Sequence, residues 1–147
     1  MYKRILLATD DSKLSRKAEK SAMALAASLD AALVVLNVVP DYPVSFFDGS
    51  VSVTPQDVAR IEEAWTAKGQ AVVDAVVAAA AKKDVKARGV LAHSDHVADS
   101  IMATARKHKC DLIVMASHGR RGVARVLLGS ETQHVLTHST IPVLVLR

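Results

Sequence analysis

The sequence holds a single cysteine, Cys110, in 147 residues, so no disulfide can form within the chain and a reducing compartment suits it. Aromatic residues number only five, Trp65 with two Tyr and two Phe, too few to build a stacking platform for single-stranded nucleic acid. No apolar run approaches the roughly 20 residues of a membrane span. The longest, AVVDAVVAAAA from position 71, is broken by Asp74 and followed by Lys82 and Lys83, and it reads as a buried helix. The opening MYKRILLATDD reaches acidic residues early and lacks a small-residue cleavage site, so a signal peptide is not expected and the cytoplasm is. Neither G-x-G-x-x-G nor GK[ST] follows the first apolar run, which excludes the dinucleotide fingerprint and the P-loop.

Half the residues are hydrophobic, mostly Ala, Val, Leu and Ile, and the length suits one domain spanning 1–147 with an aliphatic core. The net charge is +4, yet the basic residues fall in separated stretches at 13–20, 82–88, 106–109 and 120–125, which read as solvated faces rather than a nucleic-acid surface. Only Arg120, Arg121 and Arg125 sit among glycines, where backbone can approach a small phosphate ligand.

Short β-branched or leucine-rich runs at 4–8, 32–39, 85–92, 111–115 and 142–146 predict five strands. Between them, Leu14, Ala18, Ala22, Leu25 and Leu29 line one helical face. A second face carries Val58, Ile61, Trp65, Val72, Val76 and Ala79 with a gap around Gly69, and a third carries Val97, Ile101, Ala105 and His108 with Ser94 or Asp95 as cap. A fourth helix opens at Ser130, where SETQ has the capping-box pattern with Ser130 as N-cap and Gln133 three residues on. Strict alternation of strand and helix, with nearly continuous apolar strands, predicts an α/β fold: a doubly wound parallel sheet with helices on both faces. Residues 40–56, with three of the four prolines, read as a long loop.

In such a sheet a ligand sits outside the carboxyl ends of the strands, where successive connections turn to opposite sides. With strand one central, that crevice lies between ATDDS, Ala8 to Ser12, and MASHG, Met115 to Gly119. Asp10 and Asp11 repel phosphate but suit ribose hydroxyls. Beyond strand four come Gly119, Gly122 and Gly129, and then a helix amino end whose free N–H groups favour an anion. Ribose beside Asp10 and phosphates beside 119–130 is therefore the expected polarity.

At ILLATDDS, ADSIMATARKHKCDLIVMASHG and LLGSETQHVLTHSTIPVLVLR the chain resembles the universal stress protein family over its full length. Nucleotide-binding members of that family carry G-x2-G-x9-G-[ST] after strand four. Here Gly119, nine residues, Gly129 and Ser130 fit it, while the first glycine falls on Ala116, a departure. A methyl there crowds the nucleotide unless φ is negative. The resemblance implies a five-stranded sheet of order 3-2-1-4-5 and an adenine nucleotide, ATP or AMP, with Mg²⁺ as an optional companion. It implies that Ala8 and Asp10 border the ribose, that Val38 offers backbone to adenine, and that Met115 and Ala116 lie near the base and ribose. Gly119, Gly129, Ser130 and Glu131 would face the phosphates.

Strand five in that order is an edge without charge until Arg147, whereas strand three is protected by Lys86 and Arg88. A homodimer through 141–147 is expected, as in many members of the family. His134 and His138, four apart, lack further ligands and read as surface residues, as do His93 and His96. Cys110 reads as inert packing and Trp65 as core or dimer packing. The expected function is a nucleotide-binding, dimeric stress or signalling module whose occupancy alters 40–56 and 119–130. A nucleotide-independent interaction module is the alternative. Catalysis is at most slow ATP hydrolysis, with His118 the sole candidate base.

Overall fold

The computed structural model describes residues 1–42, 53–119 and 128–147. Gly122, Arg120, Arg121, Arg125 and most of the loop expected at 40–56 lie outside them. Along the chain come β1 (Arg4–Ala8), α1 (Lys13–Leu29), β2 (Ala32–Val39), α2 (Pro55–Ala81), β3 (Ala87–His93), α3 (Val97–Lys107), β4 (Leu112–Ala116), α4 (Ser130–His138) and β5 (Val143–Leu146). The strands form one parallel sheet in the order β3-β2-β1-β4-β5, with Leu6 opposite both Val34 and Ile113. The expected α/β architecture and strand order are present.

Because β1, β2 and β4 are buried on both faces, their side chains feed two cores. On one side Ile5, Leu7, Leu33, Val35 and Val114 pack under α1 and α2. On the other, Leu6, Val34, Leu36, Ile113 and Met115 pack under α3 and α4. Connections from β1 leave toward β2 and those from β4 toward β5, so the direction of winding reverses between β1 and β4.

The face of α1 is rotated from the expected one. Ser15, Ala18, Ala22, Met23 and Ala26 are its buried residues, while Leu25 and Leu29 pack only partly, because the alanines let the helix axis approach the sheet and push the leucines to its flank. Gly69 does not interrupt α2, which runs unbroken for 27 residues. A Cβ at Gly69 would lie 2.7 Å from Asn37 Oδ1 and 2.9 Å from Val39 Cγ2, so glycine permits the close approach of α2 to β2. That helix also starts inside the stretch expected as loop: Thr54 and Asp57 form a capping box and Pro55 holds the first turn. β3 begins two residues later than expected, since Asp84 adopts φ 57° and the Val85 N–H donates to the Ala80 carbonyl at 3.0 Å to turn the chain out of α2.

Candidate functional site

The crevice at the winding reversal is built from the carboxyl ends of β1 and β4 and the amino end of α4. β1 ends in Ala8, half-buried, and Thr9, buried, whose N–H donates to the Leu36 carbonyl at 3.0 Å. Past it the chain turns through Asp11 at φ 62°, a conformation that Asp tolerates better than most residues. Asp10 stabilises this turn: its Oδ1 accepts the Ser12 N–H at 3.0 Å, and Ser12 in turn caps α1 by accepting the Ser15 N–H at 3.1 Å. The local turn role for Asp10 is thus real. Its second oxygen faces β4, for a Cβ on Gly119 would lie 2.6 Å from Asp10 Oδ2. Two residues 109 positions apart in sequence are in van der Waals contact because β1 and β4 are neighbours in the sheet.

On the β4 side Met115 and Ala116 are buried strand residues, and Ser117 is tied down at both ends. Its N–H donates to the Leu146 carbonyl and its carbonyl accepts the Gly129 N–H, both at 2.7 Å, so the segment leaving at Gly119 returns to its own base at Gly129. Gly129 sits tightly there: a Cβ would lie 3.3 Å from His118 Cα. Ala116 is not among the residues of positive φ, so its methyl meets no backbone strain, and its carbonyl accepts Thr132 Oγ1 at 3.0 Å from within α4. Val38, half-buried near the end of β2, pairs with Ala92.

Two expectations about caps are overturned. The N-cap of α4 is Gly129, not Ser130, and among the described residues no side chain caps it, because Ser130 has already entered the helix and its hydroxyl is no longer at the cap position. Neither Ser94 nor Asp95 caps α3: the N-cap is His96, Ser94 Oγ accepts the His96 N–H at 3.0 Å, and Asp95 Oδ1 accepts the Asp41 N–H at 3.0 Å. The α3 amino end is satisfied from a distance, by Glu131 Oε2 on α4, which accepts the Ala98 N–H at 2.7 Å. The Glu131 carboxylate therefore joins the two helices of that face at their amino ends. It also places a negative charge at the positive end of α3.

A residue that sequence reasoning missed lies beneath the first turn. Glu19, half-buried on α1, hydrogen-bonds to Thr9 Oγ1, and Thr9 Oγ1 is 3.1 Å from Ser15 Oγ. Burial raises the Glu19 carboxyl above the ordinary carboxylate range, with the neighbouring Asp11 and Asp10 charges acting the same way against the Thr9 hydrogen bond and Arg16. Its only signal in sequence is a glutamate at a partly buried position on the α1 face. Asn37, also missed, is buried and donates to the Thr9 carbonyl at 2.9 Å, bracing β1 against β2 just below the crevice.

Among the described residues no group of three His, Cys, Asp or Glu could hold a metal ion. His134 and His138 stack with ring centroids 4.3 Å apart, and His134 faces Asp99 at 3.3 Å. Trp65 is half-buried with its ring 5.9 Å from that of Tyr42, and Cys110 is buried, its thiol pushed up to about 11 by burial.

Chemically, the crevice combines a carboxylate on one wall with a helix amino end on the other. The first suits hydroxyl donors and the second an anion. The fold defines a doubly wound α/β protein with a crevice at its topological switch point. The universal stress protein family model matches residues 1–147, and the chain belongs to that family. It is 34% identical to the universal stress protein MJ0531 of Methanocaldococcus jannaschii over all of this chain and 83% of that one. The universal stress protein UspA of Lactobacillus plantarum superposes with a TM-score of 0.83 at 25% identity, covering 99% of this chain and 98% of that one. An Arabidopsis thaliana family member solved with AMP bound has a TM-score of 0.69 at 17% identity, over 97% and 90% of the two chains. Solved universal stress proteins in complex with cAMP and with dAMP share the fold.

Proposed function

We propose that this protein binds an adenine mononucleotide, AMP or ATP, in the crevice between β1 and β4, and acts as a dimeric cytoplasmic stress or signalling module. The observation that carries the reading is the meeting of Asp10 and Gly119, which glycine alone allows without displacing the carboxylate. Asp10 accepts the ribose hydroxyls, the Val38 backbone meets adenine, and Ala8, Met115 and Ala116 line the base and ribose. Gly119, Gly129 and the backbone N–H groups of Ser130 and Glu131 take the phosphates at the start of α4. The AMP bound to the Arabidopsis relative supports the ligand class. Ala116, with φ outside the positive range, is compatible with it. Mg²⁺, where present, is carried by the triphosphate rather than by a protein cage.

The dimer forms along β5, an edge strand whose Leu144 is 39% exposed on the α1 side of the sheet. Calorimetric titration of the purified protein with AMP, ADP and ATP, with and without Mg²⁺, tests the reading. Saturable binding of any of them supports it. No heat from any of them at millimolar concentration removes it and leaves the nucleotide-independent interaction module.

A further inference from the structure

The opposite end of the sheet, at the amino ends of the strands, holds a second concentration of charge. Arg4 at the start of β1, Lys86 and Arg88 on either side of the first residue of β3, and Lys107, His108 and Lys109 at the end of α3 line one cleft of about 430 Å³. In sequence these residues belong to three distant stretches. The parallel sheet brings them together because it aligns the starts of β1, β2 and β3, and α3 ends over the same edge.

The cleft wall is held in place by hydrogen bonds. Arg4 Nη1 donates to the His108 carbonyl at 2.7 Å, and the Asp111 carboxylate accepts the Lys3 and Arg4 N–H groups at 2.8 and 3.0 Å. Lys109 adopts φ 54°, a left-handed conformation that turns the chain so that Lys107, His108 and Lys109 all border the cleft. Among the described residues no carboxylate lines it. Among the described residues the ion pairs are Arg16–Asp11 and His134–Asp99, and neither involves these cations. The field inside is positive: burial, then the charges of Arg88, Lys107 and Arg4, hold the His108 imidazole below its usual range.

Five permanent cations around one concavity repel each other unless an anion joins them. We propose that this basic cleft is a second ligand site, at the end of the sheet away from the β1–β4 crevice, and that it takes a small oligophosphate. Its volume falls within the range of small-ligand pockets, and among the described residues no Phe, Tyr or Trp lines it to stack a base. Several cations with two guanidinium forks favour a ligand with several phosphoryl groups over a single phosphate.

The test follows the His108 ring protons by NMR while inorganic tripolyphosphate is added to the intact protein at low ionic strength. Inorganic phosphate and a short single-stranded oligonucleotide are the comparison arms. Tripolyphosphate is expected to shift the His108 resonances saturably, to raise the pH at which the ring titrates, and to bind at least tenfold more tightly than phosphate. The double variant Arg88→Ala/Lys109→Asn, with asparagine tolerating the left-handed backbone, is expected to lose at least tenfold in affinity while keeping its thermal transition. Asp10→Asn is expected to leave the His108 response unchanged. Unmoved His108 resonances at millimolar tripolyphosphate, or an equal response in the double variant, would overturn the proposal. Tighter binding of the oligonucleotide would overturn it in favour of a nucleic-acid surface.

Discussion

Replacing Gly119 with alanine puts a methyl carbon 2.6 Å from Asp10 Oδ2, where ordinary contact begins at 3.4 Å, so the carboxylate must retreat by about 0.8 Å. It cannot do so freely, because Oδ1 is held at 3.0 Å by the Ser12 N–H that shapes the turn into α1. Rotation of the carboxylate therefore weakens that turn and moves the oxygens away from a ribose at once. Losing one hydrogen bond to a charged acceptor costs about 1.5–3 kcal/mol, or roughly 10- to 100-fold in the Kd for AMP. Fold stability falls less, by about 1 kcal/mol, since the affected bond is near the surface. The assay is calorimetry on Gly119→Ala, Asp10→Ala and the double variant. Because the glycine acts through Asp10, the double variant is expected to bind no more weakly than Asp10→Ala alone. Losses that add, or a Gly119→Ala protein that binds AMP as the parent does, would refute the reasoning.

Three further outcomes follow from packing and charge. A Cβ on Gly89 would lie 2.1 Å from Val73 Cγ1, so Gly89→Ala should destabilise the protein by about 1–3 kcal/mol in urea unfolding, through overpacking of β3 against α2. Glu131→Ala removes the acceptor of the Ala98 N–H and should lower stability by about 1 kcal/mol, with faster hydrogen exchange at Ala98 and little change elsewhere. Glu19 has its folded-state pKa raised above 4.5, so its stabilising contribution is present below the unfolded value and lost as pH rises through the folded one. Glu19→Gln should remove that loss, and unfolding free energies of the two proteins measured from pH 4 to 8 should diverge in favour of glutamine as pH rises. A constant difference across the range would contradict the assignment.

How far the sequence revealed this molecule depended on the distance over which each feature is determined. β1 and β2 were legible to the residue because, Arg4 and Asn37 apart, RILLA and ALVVLNVV are apolar and bounded by charge or turn. The reversal point, and with it Asp10 opposite Gly119, followed from element order and the family resemblance together. Helix ends were less legible. Among the described residues no glycine has a positive φ, and the left-handed positions fall to Asp11, Asp30, Asp84 and Lys109. Glu131 capping α3 and the meeting of Arg4, Arg88 and Lys109 were hidden because each depends on contacts across the sheet that no local pattern encodes. The basic stretches at 82–88 and 106–109, read singly as solvated faces, are two walls of one cleft.

The central claim, an adenine nucleotide held between β1 and β4, is tested most directly by mapping amide chemical shifts as AMP is added to isotope-labelled protein. The account predicts saturable shifts at Asp10, Val38, Gly119, Gly129 and Ser130, with the amides around Arg88 and Lys109 at the other end of the sheet unmoved. Shifts confined to that other end, or none at any of these residues at millimolar AMP, would contradict it.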